Sequence, residues 1–138
     1  MAQIRKEIKD FVKKYNQRMD CNQDILHKLN IETKQSKHLF KDYLTTTKIN
    51  EDNCDLENAK LYTNENGILE MQAYSFITWG TKYFWVNTNL TEEEYKKDKL
   101  IRISNFIDKH LSEIFEKIDN LSLEQREFLS IKEELEKL

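Results

Sequence analysis

The sequence predicts an α+β fold in one domain spanning 1–138: N-terminal helices, a three-stranded antiparallel meander at about 59–88, and a C-terminal helical hairpin. Three observations carry this. Both glycines of the chain, Gly67 and Gly80, fall inside one aromatic-rich stretch, where short hairpins need unusual backbone angles. Apolar residues on either side of that stretch recur at helical spacing. Capping boxes, Thr91-Glu92-Glu93-Glu94 and Ser122-Leu123-Glu124-Gln125, announce two C-terminal helices.

From Gln3 to Met19 the residues Ile4, Ile8, Phe11, Val12, Tyr15 and Met19 form a stripe down one side of a helix. A second helical stretch, Asn22–Leu44, carries Ile25, Leu26, Leu29, Leu39, Phe40, Tyr43 and Leu44 around a wholly polar Glu32–His38. Asp20 and Gln23 can form a capping box that restarts the helix after Met19. The alternative is one long helix, whose heptad positions Ile4, Ile8, Phe11, Tyr15, Arg18, Asn22, Ile25 and Leu29 support a coiled-coil seam and a homodimer. The break is preferred, because Arg18 and Asn22 would sit together in that seam. Thr45–Asn58, rich in Thr, Asn and acidic residues, reads as a loop.

The meander consists of Ala59–Asn64, Ile68–Trp79 and Lys82–Thr88. They are joined by the loop Glu65-Asn66-Gly67 and by Gly80-Thr81, a type II′ signature. Loop length sets the register, so Asn64 opposes Ile68 and Trp79 opposes Lys82. The core face then holds Ala59, Leu61, Leu69, Met71, Ala73, Ser75, Ile77, Trp79, Phe84 and Val86. The outer face holds Lys60, Tyr62, Ile68, Glu70, Gln72, Tyr74, Phe76, Thr78, Tyr83, Trp85 and Asn87, with Phe76 opposite Trp85 and Thr78 opposite Tyr83.

Beyond the meander, a helix from Thr91 to about Asn120 buries Leu100, Ile103, Ile107, Leu111, Ile114, Ile118 and Leu121, flanked by Phe106 and Phe115. A last helix, Leu123 to about Lys137, turns inward Phe128, Ile131 or Lys132, Leu135 and Leu138.

A length of 138 residues is enough to bury an ordinary core without disulfides or metal. With 38% hydrophobic and 34% charged residues, the helices should each keep one heavily solvated face. No apolar run approaches the length of a membrane span and none follows Met1–Lys6, so neither a transmembrane helix nor a signal peptide is expected and the location expected is cytoplasmic. Cys21 and Cys54 lack Cys or His neighbours at metal-binding spacing and read as reduced thiols. Asn89-Leu90-Thr91 and Asn120-Leu121-Ser122 match the glycosylation pattern but read here as helix starts. Proline is absent while Lys, Asn and Ile abound, a bias associated with low-GC bacteria, their phages and plasmids.

No catalytic residue, cofactor site or metal site is expected. His27, His38 and His110 are scattered, and no metal-binding, glycine-rich phosphate-binding or nucleophile-elbow motif occurs. Asp108, His110 and Glu113 share one helix, a pairing that a charged helix face produces by chance. Charge is split unevenly. Residues 1–48 hold eleven Lys and Arg against six Asp and Glu, or +5, and residues 49–138 hold eleven against nineteen, or −8. A basic N-terminal face with Lys28, Lys34, Lys37 and Lys41 could therefore meet nucleic acid, or the two halves could neutralise each other.

The remaining candidate is the outer aromatic face: Tyr62, Tyr74, Phe76, Tyr83 and Trp85. Three readings compete: a core layer covered by a helix, a protein-binding platform, and a surface on which single-stranded bases stack. The expected function is non-catalytic protein binding, with no enzyme activity and no membrane association. An inhibitor of a host defence system encoded by a phage or plasmid, such as an anti-CRISPR-type protein, is one such role. A nucleic-acid-associated protein and a homodimeric structural or regulatory protein are the alternatives.

Overall fold

A computed structural model describes residues 3–31, 34–115 and 123–138. The order of elements is α1 (Lys6–Lys28), α2 (Lys34–Leu39), β1 (Lys60–Thr63), β2 (Ile68–Ser75), β3 (Gly80–Asn87), α3 (Glu92–Phe115) and α4 (Leu123–Glu136). The fold is α+β, with one sheet in the order β1-β2-β3. The described chain forms two compact units: Met1–Asp20 with Thr47–Glu92, and Cys21–Thr46 with Glu93–Leu138.

The expected break after Met19 does not occur. Helix α1 runs unbroken through Asp20–Gln23, because the two polar residues of its apolar stripe have partners. The buried Arg18 guanidinium donates to the carbonyls of Leu90 and Thr91. The buried Asn22 amide donates to the Thr45 carbonyl at 2.8 Å and accepts from the Tyr95 hydroxyl at 3.0 Å. Seam residues Ile8, Phe11, Ile25 and Leu29 are buried within the chain itself. The helix stops instead at Asn30, whose φ of 55° is left-handed. Ile31 N–H bonds Leu26 C=O and Asn30 N–H bonds His27 C=O, the Schellman pattern with Asn in the glycine position. Of the expected second helical stretch, Asn22–Lys28 belong to α1 and Lys34–Leu39 form α2, and Phe40–Tyr43 after it are turns, not helix.

In the sheet unit, Ile8, Phe11, Ile49, Cys54, Leu56, Ala59, Met71, Ala73, Phe84 and Val86 form the core. The Asn16 side chain ties the loop to α1, accepting from Ile49 N–H at 2.8 Å and donating to Ile49 C=O at 2.9 Å. The Arg5 guanidinium donates to the Ala59 carbonyl. Loop residues Asn53–Asp55 extend the β1 side of β2: Asp55 N–H bonds Tyr74 C=O and Phe76 N–H bonds Asn53 C=O, both at 2.9 Å.

The first hairpin has the expected register, with Leu61 opposite Met71 and Tyr62 opposite Glu70. Gly67 has φ 75°, and its carbonyl accepts from Thr88 N–H and hydroxyl at the end of β3. The second hairpin departs from expectation. Ser75, not Trp79, ends β2, and it pairs with Gly80, so Phe76–Trp79 form a four-residue turn. Ser75 Oγ accepts from the N–H groups of Ile77 and Thr78, and the positive φ of this hairpin, 56°, falls on Trp79 and not on Gly80. The pairings Phe76–Trp85 and Thr78–Tyr83 are therefore replaced by Glu70–Trp85 and Gln72–Tyr83. This shift of six residues is even, so the strand residues keep their faces. Ile77 and Trp79 do not join the core; in the turn they are 65% and 78% exposed.

The two glycines should respond differently to alanine. A Cβ on Gly67 would collide with the Asn89 side-chain amide, on a backbone where alanine itself costs about 1–2 kcal/mol. Gly80 has open space around it and no positive φ. In urea denaturation Gly67→Ala is expected to lose at least about 1 kcal/mol, whereas Gly80→Ala stays within about 1 kcal/mol of wild type on either side.

In the helical unit, Ile25, Leu26, Leu29, Ile31, Phe40 and Leu44 share a core with Ile103, Ile107 and Leu111 of α3 and Phe128 and Ile131 of α4. Helices α3 and α4 run antiparallel: Phe128 meets Phe106 and His110, Lys132 pairs with Asp108 at 3.1 Å, and Leu100 and Leu135 both pack against the shared core. Ile131, not Lys132, is the buried member of its pair, and Leu138 is exposed, contrary to its inward assignment. The expected Ser122 cap, Ile118, Leu121 and the end of α3 near Asn120 lie outside the described residues.

Candidate functional site

The outer face of the sheet is built by strand alternation: inward Met71, Ala73, Phe84 and Val86 are buried, which turns their neighbours outward. The register arranges those neighbours in rows. Tyr62, Glu70 and Trp85 lie side by side across the three strands, Lys60, Gln72 and Tyr83 form the next row, and Tyr74 pairs with Thr81 beyond them. Tyr62, Tyr74, Tyr83 and Trp85 are all exposed. The Tyr62 hydroxyl donates to Gln72 Oε1 at 3.3 Å, and Tyr74 meets Phe76 edge-on with ring centroids 5.8 Å apart.

Phe76 is thus a turn residue at the end of this face, 42% exposed, rather than a strand residue beside Trp85. It also lines a depression of about 1010 Å³ together with Ile4, Cys54 and Leu56, whose charged lining residues are Lys9, Glu51, Asp55 and Glu57. The hairpin tip adds Ile77 and Trp79, which the sequence pattern had placed in the core. The local device at this turn is Ser75, whose hydroxyl accepts from Ile77 and Thr78 N–H; the pairing of Asn53–Asp55 with β2 is not marked locally.

The basic candidates are dispersed in the helical unit. Lys28 ends α1, Lys37 lies in α2 and Lys41 in the turn after it, all exposed; Lys34 begins α2, and its side chain lies outside the described residues. The Asp108, His110 and Glu113 trio is not brought together as a site. Asp108 pairs with Lys132, and the His110 ring lies against Phe106 and Phe128 with centroids at 5.7 and 4.6 Å. A groove of about 460 Å³ beside them is lined by Tyr43, Arg102, Asn105, Phe106, Lys109, His110 and Glu113. Among the described residues no three His, Cys, Asp or Glu side chains gather to hold a metal ion. No described helix is long and apolar enough to cross a membrane.

Cys21 and Cys54 are both buried thiols. Burial holds the Tyr15 hydroxyl above its usual pKa, with the neighbouring Cys54 adding to the shift; burial likewise raises Cys54, against an opposing pull from Lys82. Both groups keep their protons to higher pH in the folded chain than in the unfolded one. Stability therefore falls as pH rises through the unfolded values of about 8.5 for Cys and 10 for Tyr. Thermal melts across the alkaline range should show this loss in the wild type and a shallower one in Tyr15→Phe.

With this geometry, comparison of the chain with protein-family models, with curated proteins and with solved structures gives no match.

Proposed function

We propose that this chain acts by binding rather than by catalysis, and that its partner is another protein held on the outer face of the β1-β2-β3 sheet. The observation that carries the reading is where exposed apolar bulk is concentrated. Of nine exposed large hydrophobic residues among those described, seven lie on this face or at the tip of its second hairpin: Tyr62, Tyr74, Phe76, Ile77, Trp79, Tyr83 and Trp85. Contiguous exposed apolar surface marks interaction sites, and Trp and Tyr supply most of the anchors in protein interfaces.

Charge favours protein over nucleic acid at this face. The outward strand residues carry one Lys, Lys60, and one Glu, Glu70, and the segment 49–92 as a whole holds seven Asp and Glu against two Lys and no Arg, so the face offers phosphates no basic patch. The homodimer reading loses its support in the heptads, whose apolar positions are used by the chain's own cores. The role we assign is that of a blocking or adaptor protein in the cytoplasm. Inhibition of a host defence system by a phage- or plasmid-encoded product is the instance that the Lys-, Asn- and Ile-rich composition suggests.

The test compares two immobilised variants in an extract of the native cells. Tyr83→Ala with Trp85→Ala should lose the retained protein, and Lys37→Gln with Lys41→Gln should keep it. The reverse pattern, or retention of nucleic acid alone, removes the sheet face from the account.

A further inference from the structure

We infer that the partner presents an arginine side chain, which lies between Tyr62 and Trp85 with its guanidinium over the carboxylate of Glu70. This inference rests on the protein-binding reading above and names the chemistry that the face accepts. The register makes Glu70 the centre of a row with an aromatic residue on each side, one on β1 and one on β3. Outer strands of such a row stand about 10 Å apart, since neighbouring strands are separated by about 4.8 Å. That gap admits one planar group between two rings.

Tyr62 and Trp85 are 51% and 61% exposed, so both rings are open to a ligand. Tyr62 stands opposite Glu70, and its ring runs from there over β2 towards Gln72, to which its hydroxyl is bonded. Among the described residues Glu70 has no ion-pair or hydrogen-bond partner for its carboxylate, although it is only partly exposed. Lys60 belongs to the next row, opposite Gln72. A carboxylate flanked by aromatic faces attracts a cation twice over, by Coulomb attraction and through the ring quadrupoles. Arginine fits better than lysine, because its planar fork stacks on rings and binds a carboxylate through two N–H groups.

The wider surface has the matching sign. Only Lys60 and Lys82 are basic in residues 49–92, and the depression that Phe76 lines holds three acidic residues, Glu51, Asp55 and Glu57, against one basic residue, Lys9. A partner segment with further basic residues would meet favourable charge along its length. Nucleic acid would bring phosphates to the same acidic surface.

The probe is N-acetylarginine methylamide, titrated into the full chain at constant ionic strength and followed by amide and indole N–H NMR signals. Saturable shifts centred on Tyr62, Glu70 and the Trp85 indole are expected, lost in Trp85→Ala and weakened several-fold in Glu70→Gln, whose remaining spectrum should match wild type. Three results would overturn the inference: no localised shift, equal shifts in Glu70→Gln, or equal shifts with N-acetylleucine methylamide. A thymidine oligonucleotide that moves the same signals more strongly would also overturn it and assign the face to bases. Should the arginine probe fail while Tyr83→Ala with Trp85→Ala still loses its protein partner, only the arginine falls and the protein-binding reading stands.

Discussion

The double variant Tyr83→Ala, Trp85→Ala is expected to stay folded, with a somewhat lower melting temperature than the wild type, and to lose its partner. Both side chains stand on the exposed side of β3, where Phe84 and Val86 between and beyond them carry the core contacts. Truncation removes cross-strand surface contacts but no core side chain, at about 0.2–1 kcal/mol of folding stability for each ring. Binding should respond on another scale. A central aromatic anchor is worth at least about 2 kcal/mol, or roughly thirtyfold in Kd, and two neighbouring anchors together should take an ordinary complex below detection. Calorimetry of the variant and titration against the captured partner separate the two effects. Unfolding of the variant would mean that these rings hold up the sheet instead.

Phe40→Ala is expected to do the opposite. Phe40 is completely buried and meets Phe106 and Phe128 edge-on, with centroids at 5.3 and 5.7 Å. Its carbonyl also receives the N–H groups of Tyr43 and Leu44, so the ring is fixed in the turn that follows α2. Removing a phenyl ring from such a site costs about 3–5 kcal/mol. A domain has only about 5–15 kcal/mol to lose. Urea denaturation should show the helical unit shifted by that amount, and a loss below about 1 kcal/mol would contradict the packing described for Phe40.

Local signals in the sequence account for the first hairpin and for the sidedness of the sheet. Gly67 needs its positive φ, and period-two alternation through Met71, Ala73, Phe84 and Val86 marks the inner face. The second hairpin departs from its local signal: Gly80-Thr81 carries a turn signature while the chain turns four residues earlier. One contribution is non-local, the pairing of Asn53–Asp55 with Tyr74 and Phe76; two are local, the Ser75 Oγ cap on the turn and the backbone angle that Trp79 accepts although its type disfavours it. The continuity of α1 was hidden in the same way. Arg18 and Asn22 look like a flaw in an apolar stripe until the carbonyls of Leu90, Thr91 and Thr45 are placed beside them.

Of the candidate site, sequence pattern alone brought Tyr62, Tyr74, Tyr83 and Trp85 onto one face. It could not tell whether a helix covers them, since that depends on packing between elements distant in sequence. Nor could it place Glu70 between Tyr62 and Trp85, because the wrong second register set Phe76 beside Trp85. Ile77 and Trp79 join the exposed surface only once the turn is known.

Hydrogen–deuterium exchange of the chain, alone and bound to the protein it retains from its native cells, tests the sheet-face assignment most directly. The account predicts slowed exchange concentrated in β1, β3 and the Phe76–Trp79 turn, with the segment around Lys28, Lys37 and Lys41 unchanged. Protection confined to that basic segment or to α3, with the sheet exchanging as in the free chain, would contradict it.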